Sequence, residues 1–380
     1  MIGFSEHEAA LRALKSRGRL RNLVPRAGLD FSSNDYLGLA NCESQKVATI
    51  AALERGVGLG AGASRLLRGN DPEHASLETE AAVFFGVEKT LFMGGGFGAN
   101  TAIFSTLPRR GDLVVYDELV HASAHDGMRL GRAQILKFSH NDVDAAQTVI
   151  QNWQSGGGNG RVWLAFETIY SMDGDLAPVS ELVSLAKRYD AVLLADEAHA
   201  TGVLGPQGRG LMHRYEGQVD ILSLHTCGKA LGGYGALVCG AVPLIDTLIN
   251  RARGFVFASA PPPLSAALIR AALDRLQQHP GPSAKLAMLV AHAQMEAVNK
   301  CGLPPPQSQI IPVIIGADKP TMAVAQRMQK RGFDIRGIRP PTVPNGTARL
   351  RISITLNTTP LKISNMFAAL AEELENHSND

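Results

Sequence analysis

Seven stretches between residues 90 and 239 read as short strands, and several are apolar without alternation, AVLLA at 191–195 most plainly. The others are Thr90–Met93, Asp112–Tyr116, Gln134–Ser139, Val162–Phe166, Ile221–Thr226 and Ala236–Cys239. A strand that is apolar on both faces has to be covered on both. Helical patterns lie between these runs, so the chain is expected to build an α/β fold whose large, mostly parallel sheet is layered by helices. At 380 residues it exceeds one typical domain, and HPGPS at 279–283 is the clearest break. We therefore expect an N-terminal helix and short strand over 1–45, a large α/β domain over 46–282 and a smaller α+β domain over 283–380. The first helix is read over 5–21. In the last domain a helix over 321–333 is closed by Gly332, and Thr359-Pro360 opens the final one.

Composition narrows the class. A net charge of +2 offers no electrostatic case for nucleic acid or an acidic membrane surface. Cys42, Cys227, Cys239 and Cys301 form no C-x-x-C pair or disulfide framework, which fits a reducing compartment. The first residues lack the apolar core of a signal peptide, and no run approaches the ~18 apolar residues of a membrane helix. A cytoplasmic protein is expected. Glycine, at 39 positions, clusters in GLGAGAS (58–64) and GGGFGAN (94–100), where backbone turns sharply or approaches a ligand.

The segment DILSLHTCGKALGGYGALVCG (220–240) sets Lys229 on a glycine-lined turn between two apolar strands. A lysine desolvated there has a lowered pKa and can form a Schiff base; the alternative is a solvated turn residue. GGGFGANTAIF (94–104) runs from strand to helix, and free amides at a helix start bind phosphate, although the dinucleotide fingerprint spacing is missing. His121 and His125 stand four apart, as two metal ligands on a helix would, yet no metalloprotease glutamate lies between them. One imidazole facing a planar ligand is the other reading. Asp196 closes a buried strand within DEAH. A helicase reading needs a phosphate loop that is absent, which leaves an acid where open α/β sheets bind ligands. In ARLRISI (348–354) Arg349, Arg351 and Ser353 alternate with Leu350, Ile352 and Ile354. Those arginines either clamp a carboxylate or line a solvated sheet face.

Taken together, FSSNDYLGL, GASRLLRGN, FETIYSMDGDLAP, DEAHATGVLGPQGRG, HTCGKALGG and RPPTVPNGTARLR resemble the α-oxoamine synthases, over nearly the whole chain. These are pyridoxal-phosphate (PLP) enzymes of the aspartate-aminotransferase fold, fold type I. The resemblance implies that Lys229 carries PLP and that Asp196 pairs with its pyridinium nitrogen. It implies that His121 stacks on the ring and that His199 and Ser171 sit near the ring hydroxyl. Gly96, Phe97 and Thr226 would bind the phosphate end. Asn34 and Glu167 would line the substrate side, and Arg351 would hold the amino-acid carboxylate. Ser259 stands where the family usually has a threonine from the partner subunit, and Arg21 matches an arginine that would meet the far end of the acyl chain. No metal is implied.

The RPPTVPNGTARLR motif favours the biotin-pathway branch. That branch condenses L-alanine with pimeloyl-CoA or pimeloyl carrier protein and works as a homodimer with its site at the subunit interface. Sister enzymes joining glycine to acetyl-CoA or succinyl-CoA, or serine to palmitoyl-CoA, share these residues. A non-catalytic nucleotide-binding α/β protein is the reading from another class.

Overall fold

The computed structural model describes residues 4–378. The seven apolar runs all form strands of one sheet: β1 (Lys89–Met93), β2 (Leu113–Asp117), β3 (Gln134–Phe138), β4 (Val162–Glu167), β5 (Val192–Asp196), β6 (Ile221–Thr226) and β7 (Ala236–Gly240). Their order is β1-β7-β6-β5-β4-β2-β3. Only β7 runs against its neighbours; β6, β5, β4, β2 and β3 pair in parallel. Two apolar clusters, one around Ile103, Leu194 and Leu224 and one around Ile150, Phe166 and Leu193, cover its two faces. Alternate residues of β5 thus enter opposite cores, which is why its sequence shows no alternation.

The chain packs as two units. The larger takes Asp35–Ser171 and Leu176–Ala284 and contains this sheet. The other gathers the described chain up to Asn34, Met172–Asp175 and the described chain from Lys285 on. It holds a three-stranded antiparallel sheet in the order β9-β10-β8, from β8 (Ile310–Gly316), β9 (Arg336–Ile338) and β10 (Ala348–Ser353). Leu29–Asp30 pairs with Phe333–Asp334, which ties the amino-terminal segment into this unit.

The first helix, α1 (Ser5–Ser16), is shorter than the pattern over 5–21 suggested. Gly18 takes φ +73°, a conformation that ends a helix, so Arg17, Arg19 and Arg21 fall beyond it. In the final helix the Thr359 hydroxyl accepts the Lys362 N–H at 3.4 Å, as an N-cap does. Among the described residues no helix is long and apolar enough to cross a membrane.

Candidate active site

Asp117, Glu167, Asp196 and Thr226 are the last residues of β2, β4, β5 and β6. A parallel sheet therefore brings them to one edge, the carboxyl end, where α/β folds bind ligands. Two helices begin at the same edge: α2 (Gly96–Thr106) and α3 (Ala122–Leu130), the latter capped by the His121 side chain.

Lys229 follows β6 on its turn and is half-buried. Its Nζ lies 2.8 Å from His199 Nε2, and His199 Nδ1 lies 2.6 Å from the hydroxyl of Tyr36. Tyr36 is fully buried and His199 nearly so. An ammonium only donates, so with Lys229 protonated His199 accepts at Nε2 and donates from Nδ1 to Tyr36.

Asp196 is held by two donors: the Ala198 amide at 2.9 Å and Asn100 Nδ2 at 2.8 Å. Asn100 Nδ2 also donates to Ser123 Oγ at 3.1 Å, and Ser123 Oγ lies 2.8 Å from His121 Nδ1. The His121 ring edge reaches solvent, yet packing around the ring lowers its pKa; Asp196 opposes the shift and Lys229 adds to it. Phe97, largely exposed, meets the same imidazole edge-on at 6.2 Å. His125 turns instead to Tyr116, edge-on at 5.3 Å, so the two histidines serve different neighbours.

Glu167 lies directly opposite Asp196 in the parallel pair. Burial, and then the Asp196 charge, hold its carboxyl well above the usual range, with Lys229 pulling the other way. Its Oε2 accepts the Ser171 amide at 3.1 Å, while its buried Oε1 has no hydrogen-bond partner among the described residues. A small cavity meets Asn100, His121, Glu167 and Asp196 on its polar side and Phe104, Phe166 and Leu224 on its apolar side.

The start of α2 supplies a glycine cradle. Gly95 is its N-cap and offers no side chain, so the first amides of the helix are left to a ligand. A Cβ on Gly96 would come within 2.5 Å of Thr226 Cγ2, whereas one on Gly94, Gly95 or Gly98 would meet nothing. Open backbone on one side and close packing against Thr226 on the other suit a phosphate group. A lysine amine, a carboxylate, an imidazole and these amides within one strand edge are a donor set that fits PLP.

The smaller unit carries the remaining candidates. The alternating face of β10 is not solvated: Arg349, Arg351 and Ser353 are all buried. Arg349 is ion-paired to Asp173. Arg351 donates to Asn34 Oδ1 at 3.0 Å and to Ser353 Oγ at 2.8 Å. Arg21 is exposed and reaches the Thr342 hydroxyl at 3.2 Å. Ser259 lies exposed beyond the short helix Arg253–Val256 of the larger unit. Sequence reasoning passed over Tyr36, Asn100 and Ser123, all inside or beside motifs it had singled out; their partners are 163, 96 and 2 residues away, respectively.

The family model for aminotransferase class I and II matches residues 26–370. The 8-amino-7-oxononanoate synthase of Geobacter sulfurreducens is 39% identical over 378 residues, covering 95% of this chain and 96% of the relative. That of Methylobacterium nodulans is 38% identical over 378 residues, covering 96% and 95%. Among solved structures, Sphingomonas wittichii serine palmitoyltransferase superposes with a TM-score of 0.88 at 26% identity, covering 99% of this chain and 98% of that one. A serine palmitoyltransferase from S. paucimobilis, solved with bound PLP and myriocin, gives a TM-score of 0.89 at 26% identity, with 99% and 98% covered. The 8-amino-7-oxononanoate synthase of Francisella tularensis gives 0.76 at 25% identity, covering 92% and 99%.

Proposed function

The chain belongs to aminotransferase class I and II and, within it, to the 8-amino-7-oxononanoate synthases, PLP-dependent acyltransferases of biotin biosynthesis, and on that premise we propose that it condenses L-alanine with a pimeloyl thioester, releasing CO2 and the thiol. The observation that carries the reading is the Lys229 amine at the same strand edge as Asp196, His121 and the open amides of α2. PLP, when bound, supplies an electron sink that stabilises negative charge at the α-carbon of alanine.

The chain's own groups would do the rest. Lys229 would anchor the cofactor and take the proton from the alanine α-carbon at Nζ. His199, 2.8 Å from that nitrogen, orients it and can hold the proton in turn. The Asp196 carboxylate would keep a proton on the cofactor's ring nitrogen, and His121 would pack on the ring. Gly96, Phe97 and Thr226 would receive the phosphate. Ser171 would meet the ring hydroxyl. Glu167, whose carboxyl burial and Asp196 hold well above the usual range, would repel a substrate carboxylate less than an ordinary glutamate.

Arg351 holds the alanine carboxylate. It is pre-oriented by Asn34 and Ser353, while its neighbour Arg349 is tied to Asp173. Arg21 meets the far carboxylate of the acyl chain. A homodimer is proposed as well, with Ser259 of one protomer serving its partner's phosphate site.

The test is direct. Purified protein is incubated with PLP, L-alanine and pimeloyl-CoA, and the product is followed by mass spectrometry, with glycine and acetyl-CoA in parallel. 8-Amino-7-oxononanoate from the first mixture alone is expected. Product from the second alone would replace the substrate assignment and keep the chemistry. A protein that takes up no PLP would overturn the proposal.

A further inference from the structure

Asn100 sits one turn into α2 and is buried, yet its amide is not needed by the helix. Both of its N–H groups are spent on side chains of other elements. One goes to Asp196 Oδ2 at 2.8 Å and the other to Ser123 Oγ at 3.1 Å. The direction of the chain of bonds follows. The opposite amide orientation would aim Asn100 Oδ1 at the Asp196 carboxylate, so the charge on Asp196 fixes which way the amide faces. Ser123 Oγ then accepts from Asn100 and has its own proton to give. Its other near neighbour is His121 Nδ1 at 2.8 Å, which also receives the Ser123 backbone N–H at 3.3 Å. A nitrogen that accepts from both carries no proton, so the imidazole proton belongs on Nε2.

We propose that Asn100 is a positioning residue that locks the Asp196 carboxylate and, through Ser123, the Nε2–H tautomer and ring plane of His121. One amide thereby sets the group meant for the edge of the cofactor ring and the group meant for its face. The proposal rests on the placement of PLP made above, but the bond chain is a property of the protein alone. Asn100 acts through its two partners.

Two variants separate the branches. Asn100→Leu removes both bonds, whereas Ser123→Ala cuts only the imidazole branch and leaves Asn100 on Asp196. The first readout is the 15N spectrum of histidine-labelled apoprotein, with His121 assigned by its loss in His121→Phe. The wild type is expected to show a single Nε2–H tautomer, and both variants an averaged one. The second readout is PLP retention, followed by the cofactor's absorbance during dialysis. Asn100→Leu should weaken it on the order of tenfold, the scale of one lost bond to a charged group, and Ser123→Ala should weaken it less.

A single Nε2–H tautomer persisting in Ser123→Ala would overturn the inference, and that variant decides the matter even where Asn100→Leu does not fold. A folded Asn100→Leu that keeps wild-type PLP retention would overturn the Asp196 branch. Wild-type protein that binds no PLP would sink the functional reading instead, and the tautomer measurement would still judge the bond chain.

Discussion

Neighbouring residues at the ends of β5 and β6 meet opposite surroundings. Asp196 is half-buried, lies at the site and is held by two N–H donors. Glu197, the next residue, is fully buried. One of its oxygens accepts the Leu211 amide at 3.1 Å, and the other packs against Gly210. Burial pushes its carboxyl up to about 8. Thr226 faces the glycine cradle, whereas His225 before it is sealed between the Thr201 hydroxyl at 2.8 Å and the Ser223 hydroxyl at 3.0 Å. It stacks on Phe85 at 3.8 Å, and burial pushes its pKa down to about 3. The sealed pair is thus neutral near neutral pH. Burial by itself removes charge from a polar side chain; the site keeps its groups usable because each has donors fixed on one side and an open approach on the other.

The largest break of this comparison is at the carboxylates. Asp196→Asn should lower kcat/KM by about 10³-fold, about 4 kcal/mol, since on the proposed function it takes away the charge that would hold the cofactor's proton. Glu197→Gln should leave kcat/KM within about threefold, because nothing charged is lost at neutral pH. Steady-state assays of both variants check this, and a Glu197→Gln enzyme as damaged as Asp196→Asn would erase the distinction.

Stability sharpens it next. The native state keeps a proton on Glu197 that the unfolded chain releases above about 4.3. Stability is therefore full below that value and falls as the pH rises toward about 8. Glu197→Gln should remove ~4 kcal/mol of this decline, read as a flatter urea midpoint between about pH 5 and about pH 8.5. His225 has the reverse sign. Its native pKa lies below the unfolded value of about 6.5, so stability is present above about 6.5 and is lost as pH falls toward about 3. His225→Gln should shrink that acid limb by ~2 kcal/mol in the same titration.

These contrasts mark what a sequence displays. The sheet was legible because apolar runs such as AVLLA need cover on both faces, and the chain supplies it. Asp196 was legible as the end of such a run. The fate of Glu197 was not, because its seal comes from Gly210 and Leu211, after the chain has turned back. Asn100 lies inside GGGFGAN, but its meaning depends on an acid 96 residues away. Arg349 and Arg351 were indistinguishable by alternation; Asp173, from a distant segment, singles out Arg349.

Tyr36 supplies the smallest expected effect. It lies outside the strand edge, and its hydroxyl reaches His199 Nδ1, 2.6 Å away. Tyr36→Phe keeps the buried ring and deletes the hydrogen bond to His199, a loss of ~1 kcal/mol or about fivefold in kcat/KM. The loss should fall on kcat with KM for alanine unchanged, because His199 orients the Lys229 nitrogen that moves the proton and does not grip the carboxylate. A variant in which KM rises and kcat holds would place Tyr36 on the binding side, and the relay from Tyr36 to Lys229 would then be structural alone.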